Sequence, residues 1–427
     1  MSQLLSRIVK KKINEESGTL DKSSNENINY NKFKFAESDL PDWLKTYCSN
    51  PWTKFDTQAR SFCCKNSQVG HITFHSFKEI QKSSVVKKLK YDLLNGIKNP
   101  ICNECWKEEQ AGKKSMRQIV LDHKSEQELK EEITINKIKH LVLHSGTTCN
   151  LACRTCSPHC SSTHIVETKN RTIQWLEKNY SLENNKQLKM LSSVEVYKPD
   201  YSTIIEEDFS SLKTIEILGG EPLLNTEHFQ ILEKIVEQGH ANKCIITYVT
   251  NGTKTLSKKY LEILSSFAEV HIIFSIDATE KQFEYIRTGA SWSLVAQNIN
   301  DIREKTKSFD KIYFMIHPAI SVLNIMYLEE LFDWIHNEKF HHHYDIVFTP
   351  VYYSFALFNE KQKSLIYSHY SDTKYEHIIY PILDIMKNTK HMPKVNVNFW
   401  SEIAWTEEYH NMKLADYLPR LDNLLQD

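Results

Sequence analysis

The chain has 427 residues, 41% of them hydrophobic, and its 53 Lys and Arg residues nearly match its 54 Asp and Glu residues. This balance gives no electrostatic basis for binding nucleic acid or an anionic membrane. There is no run of about 18 apolar residues, and the N-terminus lacks the apolar core of a secretion signal, so we expect a cytoplasmic protein without a membrane span.

The first third of the chain divides by composition into three parts. Residues 1–39 are predicted to be a flexible polar tail, because Lys, Asn, Ser and Glu dominate most of this stretch. Residues 40–118 are predicted to form a compact cysteine-rich module. Residues 119–136 carry mixed charges and are predicted to be a helical connector.

The cysteine-rich module offers a set of soft metal ligands. Cys102-Asn103-Glu104-Cys105 presents two thiols from one turn, and Cys48 with one of Cys63 or Cys64 completes a set of four. Four thiolates suit either zinc or an iron–sulfur cluster, so the residues alone leave both open. In a cytosolic chain, such cysteines are more often metal ligands than disulfides.

Strand and helix patterns alternate over residues 137–357. Predicted strands cover 138–144, 213–218, 244–250, 270–276, 311–317 and 345–350. Predicted helices cover 159–178, 226–239, 254–267, 291–306 and 324–337. Several strands are near-continuous apolar runs, which is typical of parallel strands covered on both faces. Six such units predict an α/β fold with a partial (β/α)6 TIM-like barrel, followed by a C-terminal helical extension over residues 358–427.

A second cysteine cluster follows the first of these strands. Cys149, Cys153 and Cys156 form a C-x3-C-x2-C run. Three thiolates are one short of the four corners of a cubane cluster, so one iron of a cluster bound here would stay open. The alternative is a zinc knuckle completed by His144 or His159.

Polar residues and glycines also follow later strands. Gly219-Gly220-Glu221-Pro222 follows an apolar run, and a glycine pair lets the backbone approach a ligand closely. The carboxylate of Glu221 is suited to accept hydrogen bonds from an ammonium group. The alternative is an ordinary strand-to-helix turn.

The C-x3-C-x2-C run and the GGEP segment, in this order and spacing, resemble the motifs of radical SAM enzymes. In that family S-adenosylmethionine (SAM) chelates the open iron, and its reductive cleavage gives a 5′-deoxyadenosyl radical that takes a hydrogen atom from the substrate. The resemblance implies a radical SAM barrel over residues 137–357. It also implies that SAM is contacted by Gly219, Gly220, Glu221, Pro222, Asn251, Ser275, Asp277 and Arg287.

Individual contacts are implied for four of these positions. Glu221 matches the residue that binds the amino group of SAM, and Ser275 the one that contacts its ribose. Arg287 matches a basic residue that contacts the carboxylate of SAM, and Asp277 is a further contact. For Asn251, in the turn Thr250-Asn251-Gly252, a plain strand-exit turn is an equal alternative.

The N-terminal module resembles the SPASM/twitch modules of the same family, although in many members that module follows the barrel. The resemblance implies an auxiliary [4Fe–4S] cluster held by Cys48, Cys64, Cys102 and Cys105, with Cys63 as the alternative to Cys64. Zinc remains the alternative metal.

Three functions are consistent with these patterns. The first is a radical SAM enzyme that acts on a peptide or protein side chain, with a reducing partner such as flavodoxin or ferredoxin. The second is a radical SAM dehydrogenase or rearrangement enzyme acting on a sugar or nucleotide. The third is a non-enzymatic zinc protein. No catalytic residue beyond the cofactor contacts is predicted.

Overall fold

The computed structural model describes residues 42–57, 76–110, 114–122, 124–177, 193–202 and 204–426. The predicted polar tail over residues 1–39 lies outside these ranges, as do Cys63 and Cys64.

The strands of the described residues are short. They are β1 Lys54–Asp56, β2 His140–His144, β3 Thr214–Leu218, β4 Ile245–Thr250, β5 Glu269–Phe274, β6 Ile312–Ile316, β7 Ala319–Ile320, β8 His341–His342 and β9 Asp345–Ile346.

The helices range from four to eighteen residues. They are α1 Asn50–Thr53, α2 Phe77–Lys82, α3 Ser84–Leu94, α4 Asn103–Gln110, α5 Met116–Ile119, α6 Glu126–Ile135, α7 Ser162–Glu177, α8 Phe229–Glu237, α9 Lys258–Ser265, α10 Glu280–Ile286, α11 Trp292–Lys305, α12 Leu328–Asn337, α13 Glu360–His369, α14 Glu376–Asn388, α15 Pro393–His410, α16 Leu414–Tyr417 and α17 Pro419–Gln426.

Seven strands form one sheet in the order β1-β2-β3-β4-β5-β6-β8, and β7 pairs with β9 in a separate two-stranded sheet. The pairs β1–β2, β5–β6, β6–β8 and β7–β9 are parallel. The mixed α/β fold with a parallel sheet agrees with the sequence prediction, whereas closure into a barrel stays a prediction.

Five of the six predicted strands correspond to β2–β6. The sixth, over 345–350, is wrong in extent and in partner: its only strand residues, Asp345–Ile346, form β9 and pair with β7. The seventh position of the sheet is taken by β8, and β1 adds a strand from the N-terminal module. Both are only two or three residues long, too short for an apolar alternation to be recognised.

The chain divides into two compact units. The first consists of the described residues of Met1–His144, Pro199–Glu216 and Glu227–Ile245. Its N-terminal core is aromatic: Tyr47 packs edge-on against Trp43, with ring centroids 5.1 Å apart, and lies 4.9 Å from Trp52. Ser125, directly before α6, forms a capping box with Glu128, and Asn136, directly after the helix, has a left-handed φ of 53°.

The second unit consists of the described residues of Ser145–Lys198, Ile217–Thr226 and Ile246–Asp427. The residues of β5 alternate between fully and partly buried positions, as a strand with one fully covered face requires. Helix α15, Pro393–His410, is its longest helix, and it is followed by Asn411, which has a φ of 53°. None of the helices in the described part of the chain has both the length and the apolar character needed to cross a bilayer.

Candidate cofactor site

The cysteine loop, residues 145–161, follows β2 and belongs to the second unit. Its first cysteine is fixed by the start of α7. The hydroxyl of Ser162 accepts a hydrogen bond from the amide of Cys149 and donates one to its carbonyl, both at 3.0 Å. Thr163 Oγ1 donates to the same carbonyl at 2.8 Å. The backbone of Cys149 is therefore held by two successive hydroxyl side chains.

The second half of the loop is attached to the last residue of α10 and to the segment that follows it. Ala152 N donates to Thr288 O at 2.9 Å, and Arg154 N donates to Ile286 O at 2.8 Å. Because of these two hydrogen bonds, the loop lies alongside residues 286–288. Arg287, in the middle of that segment, is thereby brought next to Cys153.

The three thiols of the loop are weak acids in the metal-free protein. Burial raises the pKa of Cys153 to about 12, against the lowering effect of the Arg287 guanidinium. Burial also raises the pKa of Cys149. A hydrogen bond with the side chain of Cys160, together with burial, raises the pKa of Cys156. Metal binding must therefore displace a proton from each thiol.

The donor set fits an iron–sulfur cluster by its chemistry. Cys153 interacts electrostatically with both Cys149 and Cys156, so three soft donors share one neighbourhood. Across the described ranges, no group of three or more His, Cys, Asp or Glu residues is arranged to hold a metal ion. That finding applies equally to these cysteines and to the alternative zinc ligands His144 and His159.

The glycine pair is required by the cysteine loop itself. A Cβ on Gly220 would lie 2.3 Å from the carbonyl oxygen of Thr148, and one on Gly219 would lie 2.5 Å from Ser145 Oγ. Gly219 also has a φ of 138°, which L side chains rarely adopt. The close approach expected of these glycines is thus an approach to protein backbone.

Glu221 is fully buried, and its carboxylate accepts three hydrogen bonds from the protein. Oε1 accepts from Leu223 N at 3.0 Å and from Thr250 Oγ1 at 2.9 Å. Oε2 accepts from Asn251 N at 2.7 Å. Burial nevertheless raises the pKa of Glu221, because these bonds only partly offset the loss of solvent. The side chain thus joins the GGEP segment to the turn after β4, and the buried Pro222 begins the next short turn.

Asn251 contacts the first cysteine of the loop. Its Nδ2 lies 3.2 Å from Asn150 Oδ1 and 3.9 Å from Cys149 Sγ. Its Oδ1 accepts from Thr253 N at 2.9 Å and from Thr253 Oγ1 at 2.7 Å. The amide is therefore oriented with its donor group toward the loop.

Asp277 and Arg287 lie beside the second cysteine. Arg287 Nε and Asp277 Oδ2 are 2.9 Å apart, as an ion pair without the alignment of a hydrogen bond. Arg287 Nη1 lies 3.7 Å from Cys153 Sγ. Ser275 is half-buried directly after β5, and its amide donates to Thr250 O at 2.9 Å.

The sequence prediction missed Arg154, which lies between two of the cysteines. Its guanidinium is buried, lies 3.7 Å from the centre of the Tyr285 ring, and donates from Nε to Tyr285 O at 2.8 Å. Nη1 donates to Thr406 Oγ1 of α15. The cysteine loop is therefore attached to the C-terminal extension by a buried cation.

A polar stripe on α15 accompanies this contact. Glu402, Thr406 and His410 are four residues apart and so share one face of the helix. Glu402 pairs with Arg171 at 2.7 Å, and His410 pairs with Glu167 at 3.1 Å. The four-residue spacing of these polar side chains can be read from the sequence, but only the fold shows which helix the stripe faces.

In the first unit, Cys48, Cys102 and Cys105 are all buried. Nearby, Arg117 makes a two-point contact with Glu109 and donates to Tyr47 O at 2.9 Å. Arg117 thus links Tyr47, the residue before Cys48, to the helix α4, which begins directly after Cys102. Whether Cys64 or Cys63 completes this set stays a prediction, because both lie outside the described residues.

No protein-family model matches the chain, and no curated protein matches it. Among solved structures, the chain is similar to native anSMEcpe with bound AdoMet, at 16% identity and a TM-score of 0.38 over 59% of this chain and 62% of that one. The complex of native anSMEcpe with AdoMet and the Cp18Cys peptide is similar at 15% identity and a TM-score of 0.36, over 59% of this chain and 62% of that one.

Streptococcus suis SuiB bound to S-adenosylmethionine is a third similar structure, at 16% identity and a TM-score of 0.32 over 66% of this chain and 60% of that one. The chain therefore spans less than two thirds of the length of each of these three structures. Because all three TM-scores are low, the function proposed below rests on the residues of this chain.

Proposed function

We propose that this chain is a radical SAM enzyme, which cleaves S-adenosylmethionine reductively and uses the resulting 5′-deoxyadenosyl radical to take a hydrogen atom from its substrate. One observation carries the proposal: predicted cofactor residues from three separate segments contact one cysteine loop. Gly220 packs against Thr148, Asn251 approaches Cys149 and Arg287 approaches Cys153. Sequence spacing alone did not require this convergence.

Cys149, Cys153 and Cys156 are the proposed ligands of a [4Fe–4S] cluster. When bound with SAM, such a cluster supplies the electron that breaks a C–S bond of the sulfonium. The role of the protein itself is to hold and surround this centre. Asn251 and Arg287 direct N–H groups at two of the three sulfurs, and the glycine pair lets the GGEP backbone lie directly against the loop.

Glu221 has one role supported by its contacts and one that remains proposed. Its three protein donors make it the residue that fixes the GGEP segment against the turn at Asn251. A carboxylate offers about four acceptor positions, so one position remains for the amino group of SAM. We propose that Ser275, Asp277 and Arg287 complete the SAM contacts, together with Gly219, Gly220, Pro222 and Asn251.

For the first unit we propose an auxiliary [4Fe–4S] cluster on Cys48, Cys102, Cys105 and Cys64, or Cys63 in place of Cys64. The burial of the three described cysteines supports a site enclosed from solvent. Zinc is the alternative, and iron and sulfide analysis separates the two, since zinc carries no redox chemistry.

The proposed substrate is a peptide or protein side chain, and the proposed electron donor is a flavodoxin or ferredoxin. The support for a peptide is the resemblance of the N-terminal cysteine pattern to SPASM/twitch modules. A short precursor peptide encoded next to this chain would be the first substrate to test.

The deciding experiment is SAM cleavage by anaerobically reconstituted protein. Wild-type protein with dithionite should release 5′-deoxyadenosine and methionine, and the Cys149→Ala/Cys153→Ala/Cys156→Ala variant should release neither. The matched control is Cys244→Ser, because Cys244 is buried in the first unit and its thiol donates to Leu212 O. Equal cleavage by the triple variant and the wild type would refute the proposal.

A further inference from the structure

The guanidinium of Arg287 is shared between a thiol and a carboxylate. Its Nη1 lies 3.7 Å from Cys153 Sγ, and its Nε lies 2.9 Å from Asp277 Oδ2. Building on the function proposed above, we infer that Arg287 is a positioning residue that donates an N–H···S hydrogen bond to the cluster ligand Cys153 and raises the reduction potential of the cluster. The same geometry makes Asp277 the group that limits this effect.

The backbone keeps the guanidinium at the thiol. Arg154 N donates to the carbonyl of Ile286, the residue before Arg287, and Arg154 directly follows Cys153. The two segments are thus joined at 2.8 Å right beside both partners of the N–H···S contact. The backbone bond keeps residue 287 near the cysteine, and the ion pair with Asp277 holds its side chain beside the sulfur.

Because Arg287 is largely buried, its positive charge acts strongly on a cluster bound at Cys153. Only 12% of its side chain is exposed, and Asp277 is fully buried. Charges in such surroundings are weakly screened. Adding an electron makes a thiolate-bound cluster more negative. A hydrogen bond to a ligand sulfur, or a positive charge beside it, therefore stabilises the reduced form.

Asp277 acts on the same cluster with the opposite sign. Its Oδ1 accepts from Ala319 N at 2.7 Å, and its carbonyl accepts from Asn324 Nδ2 at 2.9 Å, so the carboxylate is fixed independently of Arg287. Its negative charge offsets part of the positive charge next to Cys153. Removing the arginine and removing the aspartate should therefore shift the potential in opposite directions.

This role is separate from a contact with SAM. A guanidinium has five N–H donors, of which the ion pair and the thiol contact each involve one. The others remain for a SAM carboxylate. A potential measured without SAM therefore reports on the thiol contact and the buried charges beside it, with no contribution from a SAM contact.

The experiment is an EPR-monitored redox titration of the reconstituted holoprotein without SAM. The signal followed is the one that changes when SAM is added to a parallel sample. Arg287→Gln should lower the equilibrium constant for one-electron reduction of the cluster about tenfold, which lowers its potential by about 59 mV. The iron content should be retained. Arg287→Lys keeps the charge but loses the planar fork, and its shift should be smaller. Asp277→Asn should shift the potential upward.

The matched control is Arg303→Gln. Arg303 pairs with Glu338 at 2.8 Å in the same unit and has no thiol contact, so its replacement should leave the potential unchanged. A merely structural role for Arg287 predicts shifts of the same sign for the arginine and aspartate variants. That result overturns the inference, as does loss of iron from Arg287→Gln.

If Asp277→Asn does not fold, as judged by circular dichroism, the two arginine variants decide the question. Equal potentials for the Gln and Lys variants then overturn the inference. Wild-type protein without a SAM-sensitive cluster signal refutes the proposed function itself. A cluster that forms normally, and whose potential is unchanged by replacing Arg287 or Asp277, refutes only the role of Arg287.

Discussion

Replacing Gly220 by alanine should displace the cysteine loop. The new Cβ would lie 2.3 Å from Thr148 O and 2.9 Å from Thr147 C, both backbone atoms that no side-chain rotation can move away. Restoring a contact of 3.0 Å requires a separation of about 0.7 Å. The 2.8 Å hydrogen bond from Glu221 N to Thr148 O then stretches to about 3.5 Å, beyond normal hydrogen-bond length.

The expected cost combines overpacking with one or two lost backbone hydrogen bonds, about 2–5 kcal/mol in all. We expect a lower urea midpoint for metal-free Gly220→Ala and less iron bound after reconstitution. Gly96→Ala is the control: Gly96 has a similar need for glycine, with a φ of 72°, but nothing lies within 4 Å of the added Cβ. Its cost should be about 1–2 kcal/mol, from backbone strain alone. If Gly220→Ala is no less stable than Gly96→Ala and binds as much iron as wild type, the steric reasoning is refuted.

Two further predictions concern the groups around the cysteines. Thr406→Val leaves Nη1 of the buried Arg154 without its acceptor and should lower the free energy of unfolding by about 1–3 kcal/mol in urea titrations, whereas Ser401→Ala on the exposed face of α15 should change it by less than about 0.5 kcal/mol. Equal effects of the two variants would refute the proposed role of Thr406 in anchoring the cysteine loop through Arg154. Alkylation of Cys153 in metal-free protein, followed by mass spectrometry, should speed up about tenfold per pH unit from pH ~8 to pH ~11, because its pKa is raised to about 12 and the thiolate is the reactive form. A plateau near pH ~9 would contradict the burial of this thiol.

The positions of the main strands followed from the sequence because each carries an apolar run of sufficient length. β3 and β5 lie within one residue or two of the predicted ranges, and β4 lies inside its range. β1 and β8 could not be found this way, since three or two residues hold no periodic signal. The predicted strand over 345–350 failed because pairing depends on which neighbour the backbone meets, and Asp345–Ile346 meets β7.

The candidate site shows the same division between type and placement. The sequence predicted the cysteines, the glycine pair and Glu221 because their residue types suit a metal, a close backbone approach or a charged ligand group, and it predicted Arg287 through the resemblance to a known family. It could not show that Glu221 is already bound by three protein donors. Nor could it show Arg154 bound to Thr406, because these residues are 252 positions apart.

The sequence by itself therefore determined the chemistry that this chain can offer: three thiols on one loop, a glycine-rich turn and charged residues after successive strands. Those properties depend on residue type and on spacing over a few positions, which the chain carries in any conformation. Only the tertiary structure decided which groups share an environment. Arg287 faces both Cys153 and Asp277, and Cys153 is half-buried, because segments far apart in sequence pack together and exclude much of the water. Burial and charge pairing arise from that packing, and they set the acidity of the thiols.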